Sequence, residues 1–208
     1  MSVSSAHIPV YDKVINCTLK HVPLEGWTLK ALNLGAKDAE VESQDVLVFF
    51  NHDIDNVISY YSEMLDLQMT QMLESYNLED MKIRERIALS VMTRLELMTP
   101  HRESANCTAS YLACPTKLPL ASKLLYKTVN IMWYCAGDTA TDFNFYTKRG
   151  LLAGVYSTAF IYWLNDQSAG FADTRAFVER RISNVMVIPK IKSRIQGVFK
   201  TLLKPLGF

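Results

Sequence analysis

No C-x-x-C pair occurs in this sequence, and none of its four cysteines (Cys17, Cys107, Cys114 and Cys135) has a histidine at metal-ligand spacing. Reduced, buried thiols in an intracellular protein are the expected state. The N-terminus lacks a basic segment followed by an apolar run, which argues against a signal peptide, and its lack of arginine argues against a retained transit peptide. A membrane-spanning stretch is also missing. The longest central charge-free apolar segment, Gly150 to Asn165, holds 16 residues, roughly 24 Å as a helix. A span needs about 20 strongly apolar residues, and this segment includes Tyr156, Ser157, Thr158 and Tyr162, so it reads as a buried core helix.

Catalytic patterns are lacking too. No Glu-x-x-His pair, Gly-x-Ser-x-Gly elbow or glycine-rich phosphate loop occurs. The reading is therefore a non-enzyme without cofactor or metal. An enzyme of unfamiliar motif stays open as an alternative.

What remains is strongly helical. Hydrophobic residues make up 49% of the 208 residues and charged residues 21%, a globular composition for one sizeable core. Apolar residues recur at helical spacing. Helices are expected over Val10–His21, Thr28–Gly35, from Asp53 onward, Lys82–Met98, Leu120–Ala136, Asp142–Asn165 and Phe171–Val187. Asp38 can cap a third short helix, and Val46–Phe50 reads as a possible short strand. Pro115 and Pro119 bracket a kinked connection. The division is a helix-turn-helix-like unit over 1–52, a helical core for ligand binding and dimerisation over 53–188, and a tail over 189–208.

Glu25-Gly26-Trp27-Thr28, the turn at Gly35 and Phe49-Phe50-Asn51-His52 resemble the N-terminal module of TetR-type regulators. Charge opposes a DNA-reading role. From Asp38 to Met81 there are eleven acids and no lysine or arginine, whereas a DNA reader needs cations to neutralise phosphates. A ligand-responsive transcriptional regulator is therefore the alternative reading, and no nucleic-acid partner is expected.

The other end is the reverse. From Arg180 to Phe208 there are seven basic residues and no acid. Ile191, Ile195, Val198 and Leu202 fall on one helical face, which Phe199 and Leu203 widen. Lys192, Arg194, Lys200 and Lys204 supply cationic flanks. This is the composition of an interfacial helix, so these ten residues are expected to touch an anionic membrane surface. A terminal helix packed on its own domain is the bland alternative.

Residues Trp133 to Arg149 run Trp-Tyr-Cys-Ala-Gly-Asp-Thr-Ala-Thr-Asp-Phe-Asn-Phe-Tyr-Thr-Lys-Arg. The block closely resembles the signature of the ubiquinone (coenzyme Q) biosynthesis accessory proteins, a lipid-binding family with a TetR-like fold. Glu25-Gly26-Trp27 and Leu34-Gly35-Ala36 extend the resemblance over most of the chain. It departs from the family in its acidic second to fourth helices and in Cys135. The resemblance implies an all-α fold, a cavity for an isoprenoid or quinone lipid, a membrane-touching C-terminal helix and a homodimer. It also implies a di-iron demethoxyubiquinone hydroxylase as partner, with Trp133 and Tyr134 on the contacting surface, although ordinary core packing is an equal reading of that pair.

The cavity is expected among Lys82–Met98, Leu120–Ala136 and Asp142–Asn165, with Leu95, Met98, Leu125, Val129, Met132, Val155, Tyr156 and Phe160 as walls. Their surplus of apolar faces over what one core needs motivates the choice. The implied location is the bacterial cytoplasm beside the inner membrane, or the matrix side of the mitochondrial inner membrane. Lys148 and Arg149 read as a solvated or ion-paired helix face.

Overall fold

The computed structural model describes residues 9–138 and 143–184, and among them there are nine α-helices and no strand. The helices are α1 (Pro9–Glu25), α2 (Leu29–Asp38), α3 (Ser43–Phe49), α4 (Ile54–Glu74), α5 (Ile83–Leu97), α6 (Arg102–Leu112), α7 (Leu118–Cys135), α8 (Phe143–Asn165) and α9 (residues 172–184).

The first helix continues through Pro23 instead of stopping short of it. Proline has no N–H to donate to the carbonyl of residue 19, so that acceptor is freed. The Ser104 hydroxyl of α6 donates to the Leu19 carbonyl and satisfies it. Gly26, at φ +66°, then ends the helix. Thr28 caps α2 by accepting from the Ala31 N–H at 3.2 Å.

Helix α2 passes Gly35 and ends at Asp38, so neither residue has the terminating or capping role expected of it. Gly35 is instead a packing residue. A Cβ there would lie 2.1 Å from Thr18 Oγ1 and 2.6 Å from the Thr18 backbone nitrogen. Only glycine lets α2 approach α1 this closely.

Val46–Phe50 belongs to α3 and its C-cap rather than to a strand. A lone strand would leave its backbone groups unpaired, whereas a helix pairs them internally and sends Val46 and Phe50, four apart, inward. Phe50 meets Tyr11 and Tyr60 edge-on. Tyr11 also stacks on Phe49.

The remaining helices form the larger bundle. α4 packs on α5 and α7, and α7 packs on α8. Pro119 lies in the first turn of α7, where its missing N–H costs nothing. α6 is a helix the periodicity did not reveal, because only Ser104 and Ala105 along it are buried. It is held to the first helices by Ser104 and by Trp27, whose Nε1 donates to Thr108 Oγ1 at 3.0 Å. α8 is less buried than its composition suggested: Gly150, Gly154, Thr158, Ile161 and Tyr162 are exposed along it.

Asp166 organises the turn into α9. It accepts from the Ser168 and Thr174 N–H groups at 2.7 and 2.9 Å and from the Thr174 hydroxyl. Among the cysteines Cys17 is buried and all four are free, but Cys114 is exposed. The tail from Ile191 to Lys204 lies outside the described residues.

Candidate functional site

Helices α4 to α8 leave an apolar cavity of about 400 Å³ between them. That volume falls in the range of about 300–1,000 Å³ usual for small-molecule sites. Met98, Leu125, Tyr156 and Phe160 line it, as the apolar surplus suggested. Leu95, Val129, Met132 and Val155 do not. They are buried in close-packed contacts on the inner sides of the same helices. The walls that sequence reasoning missed come from α4 (Ile58, Tyr61, Leu65) and α6 (Ala105, Ala109, Leu112). α4 shows a periodic stripe that could have placed Ile58 and Leu65. The alanines of α6 carry little hydrophobic signal.

Burial changes along the cavity. At one side lie the exposed Ala113 and Ile161, which make an apolar rim. At the other lie Arg94, Tyr61 and Thr128, all buried. Arg94 is only 5% exposed, yet it is a full cation. It survives there because α4 and α8 surround it with polar atoms. Its Nη1 lies 2.9 Å from Asp66 Oδ1 in an ion pair. Its Nε donates to the Tyr156 hydroxyl oxygen and its Nη2 to Ser62 Oγ, each at 3.1 Å. Thr128 Oγ1 donates to both Asp66 oxygens, at 3.0 and 3.2 Å.

Burial pushes the Asp66 carboxyl above the usual range, with Arg94 and Thr128 pulling against it. Burial opposes the Arg94 charge, but Tyr156 and Asp66 outweigh it and raise its value. Asp66 and Arg94 thus face each other as a buried ion pair, with burial opposing the charge on both. Among the described residues no group of three or more His, Cys, Asp or Glu side chains could hold a metal ion.

The signature block has a different geometry. It forms a clasp across the α7–α8 corner. Lys148 Nζ reaches Asp138 Oδ1 at 2.7 Å, and Arg149 Nη1 reaches Asp138 Oδ2 at 3.3 Å. Arg149 Nε donates to Asn130 Oδ1 at 2.7 Å. Arg149 is thus buried and committed, not part of a solvated face.

The Trp-Tyr pair divides. Trp133 is 6% exposed, and its Nε1 donates to the Lys148 carbonyl at 3.2 Å, which makes it part of the clasp. Tyr134, next in the chain, is 79% exposed. One step along a helix turns a side chain by about 100°, enough to move it from core to surface.

A family model described as COQ9 matches residues 118–189, the segment that contains this clasp. The chain is also 30% identical over 201 residues to the mitochondrial ubiquinone biosynthesis protein COQ9 of Bos taurus, covering 93% of this chain and 63% of that protein. The chain is thus similar to the COQ9 proteins over most of its length. The human COQ9 protein is 29% identical over 201 residues, with the same two coverages. The chain thus spans about 63% of the length of these curated COQ9 relatives. A crystal structure of a TetR transcriptional regulator from Nitrosomonas europaea superposes with a TM-score of 0.68 at 20% identity, covering 86% of this chain and 99% of that one. That likeness establishes the TetR-like fold alone. The matched COQ9 segment includes all of α7 and α8 and the described part of α9, so both long cavity walls on the C-terminal side lie within it.

Proposed function

We propose that this chain is a non-catalytic, lipid-binding accessory protein of ubiquinone biosynthesis. It takes up isoprenoid or quinone intermediates at a membrane and presents them to the demethoxyubiquinone hydroxylase. The observation that carries the reading is the cavity: five helices contribute apolar walls, and a rim at Ala113 and Ile161 opens to the surface. The relatives' names, which place them in ubiquinone biosynthesis and in mitochondria, support the pathway and the matrix side of the inner membrane. No described helix is long and apolar enough to cross a membrane. Membrane contact is therefore assigned to the basic, amphipathic Ile191–Lys204 segment.

In this reading Tyr134 is the partner-contacting member of the Trp-Tyr pair, and Trp133 fixes the corner that presents it. Homodimerisation through the late helices belongs to the same reading, since α8 exposes Gly150 and Gly154. Purification of the full chain from ubiquinone-making cells, followed by organic extraction and mass spectrometry, tests the central point. A bound isoprenoid at near-stoichiometric amount is expected. A clean protein that also fails to take up added prenyl lipid would overturn it. Flotation with anionic vesicles, with and without residues 190–208, tests the membrane contact. Equal flotation of both would place that contact elsewhere.

A further inference from the structure

The tail is not the only stretch of this chain without acids. Residues 104–137 and 143–165 contain no Asp or Glu. They build most of α6 and all of α7 and α8, the helices around the cavity mouth. Ala113 and Ile161 form its rim, and Ile161 is 62% exposed. The corner between α6 and α7 carries the rim on into solvent: Ala113, Cys114, Pro115, Thr116, Leu118 and Pro119 are all exposed. Exposed apolar residues scattered singly need no explanation, but a run of them beside the open end of an apolar cavity does.

Asp55, at the start of α4, reaches this corner and is neutralised there. Lys117 Nζ donates to both of its oxygens at 2.8 Å, and the Tyr111 hydroxyl donates to Oδ1 at 2.7 Å. Along the outer face of α7 the residues then change in order. Leu118, 52% exposed, stands in the first turn. The exposed Lys123 follows, and Tyr126, 47% exposed, lies about 12 Å along the helix from Leu118. Charge of both signs returns at Lys127, which pairs with Glu63 at 2.6 Å. An aliphatic tip, then a lysine whose stem lies along apolar surface, then a tyrosine with one polar end, is the order a bilayer selects from its acyl chains outward.

We propose that the α6–α7 corner is a second, pre-formed membrane contact. Leu118, Pro119 and the rim at Ala113 enter the outer acyl region of an anionic bilayer, and Tyr126 rests among its head groups. This rests on the lipid-binding reading and specifies how the cavity meets its source: the mouth opens onto the acyl chains, so a lipid enters without crossing water. The basic tail tethers the protein by charge, whereas the corner sets its orientation. The acid-bearing α3, where Asp45 is exposed, is repelled by the same anionic leaflet.

The test uses the full-length chain with Cys107→Ser and Cys135→Ser, which leaves the exposed Cys114 as the accessible thiol, since Cys17 is buried. Cys114 is labelled with the environment-sensitive fluorophore NBD, and vesicles of equal parts phosphatidylcholine and phosphatidylglycerol are added. A blue shift is expected, with stronger quenching by nitroxides high on the acyl chains than by nitroxides near their ends. The same label at Gln44→Cys on α3, with Cys114→Ser, is expected to show no shift on vesicles that bind the protein. Leu118→Asp is expected to weaken vesicle binding about five- to tenfold. Its circular dichroism melt should be unchanged, because the side chain is half exposed and an acid suits the first turn of a helix. A protein that ignores these vesicles, or that binds them while the Cys114 label stays in water, overturns the proposal. So does a shift that grows with protein concentration without vesicles, which would mean that a second copy covers the corner. Lipid recovered from the purified protein while the Cys114 label stays in water removes this inference and leaves the lipid-binding reading standing. An inserted label on a protein that never carries lipid keeps the contact and removes that reading.

Discussion

The N-terminal three helices and the bundle that follows solve the problem of an interior in opposite ways. In α1 to α3 the interior is apolar and closely packed, with Val14, Ile15, Leu32, Ala36 and Val46 fully buried and Gly35 holding two backbones in contact. Among its described residues, buried side-chain polar atoms are few: the Thr18 hydroxyl, which donates to the Val14 carbonyl of its own helix, and Asn33 Oδ1. In the bundle, an ion pair and a cavity share the centre. The three-helix unit therefore keeps the packing that makes its shape, while its exposed acids at Asp38, Glu40, Glu42 and Asp45 oppose a polyanion. The specialised chemistry has moved to the other half. The comparison teaches that fold and role are written in different residues: small and apolar ones set the first, misplaced polar ones mark the second.

The sharpest way to break this comparison is Arg94→Met. It leaves Asp66 buried and alone, and stability by urea unfolding is expected to fall by about 3–5 kcal/mol. Pairing it with Asp66→Leu should recover most of the loss, because an apolar pair of similar volume is well tolerated. A loss below about 1 kcal/mol for the single change would mean that the carboxyl finds water and that the two interiors are less different than described.

Gly35→Ala probes the other half. The added methyl meets backbone atoms of Thr18 as well as its side chain, so relief by rotating one side chain is not available. A loss of about 1–3 kcal/mol is expected. The far-UV spectrum should keep its helix content, and quinone titration should be unaltered. A change in ligand binding would show that the two halves are coupled.

A smaller effect concerns acid. Burial alone would raise the Asp166 carboxyl, but donors from Ser168 and Thr174 hold it well below the usual carboxylate range. A depressed folded value means a contribution to stability that is full above the unfolded value of about 3.9 and lost as pH falls through the folded value. Asp166→Asn should therefore flatten the acid limb of the stability profile below about pH 4. Asp66, raised by burial, acts in the opposite sense, and its contribution declines as pH rises from about 4 through its folded value. An unchanged acid limb in Asp166→Asn would show that the α8–α9 turn is not held by charge.

The smallest effect on stability is expected at the clasp's outer residue. Tyr134→Ala should move the unfolding midpoint by less than about 0.5 kcal/mol, since the side chain is almost wholly exposed. The same change should weaken co-purification with the hydroxylase. Full retention of the partner would remove Tyr134 from the proposed interface.

Much of this molecule is legible along the chain because helices are local. A 3.6-residue recurrence of apolar side chains, with Thr28 and Asp53 as caps, places most of the bundle. The missing cations of the second to fourth helices and the Trp133–Arg149 block are equally visible, since both are matters of composition and order. What escaped is what depends on a distant partner. α6 has too few apolar residues to announce itself and forms because Leu19, Trp27 and the cavity give Ser104, Thr108 and its alanines something to touch. Val46–Phe50 has the composition of a strand but no strand to pair with. Trp133 and Tyr134 are indistinguishable neighbours until a helix turn sends one inward. The same holds for the site. Periodicity shows which faces are apolar, but only tertiary packing decides where those faces fail to meet and leave a cavity. A buried charge is affordable only when its partner arrives from another helix, and Asp66, Arg94, Thr128 and Tyr156 come from four.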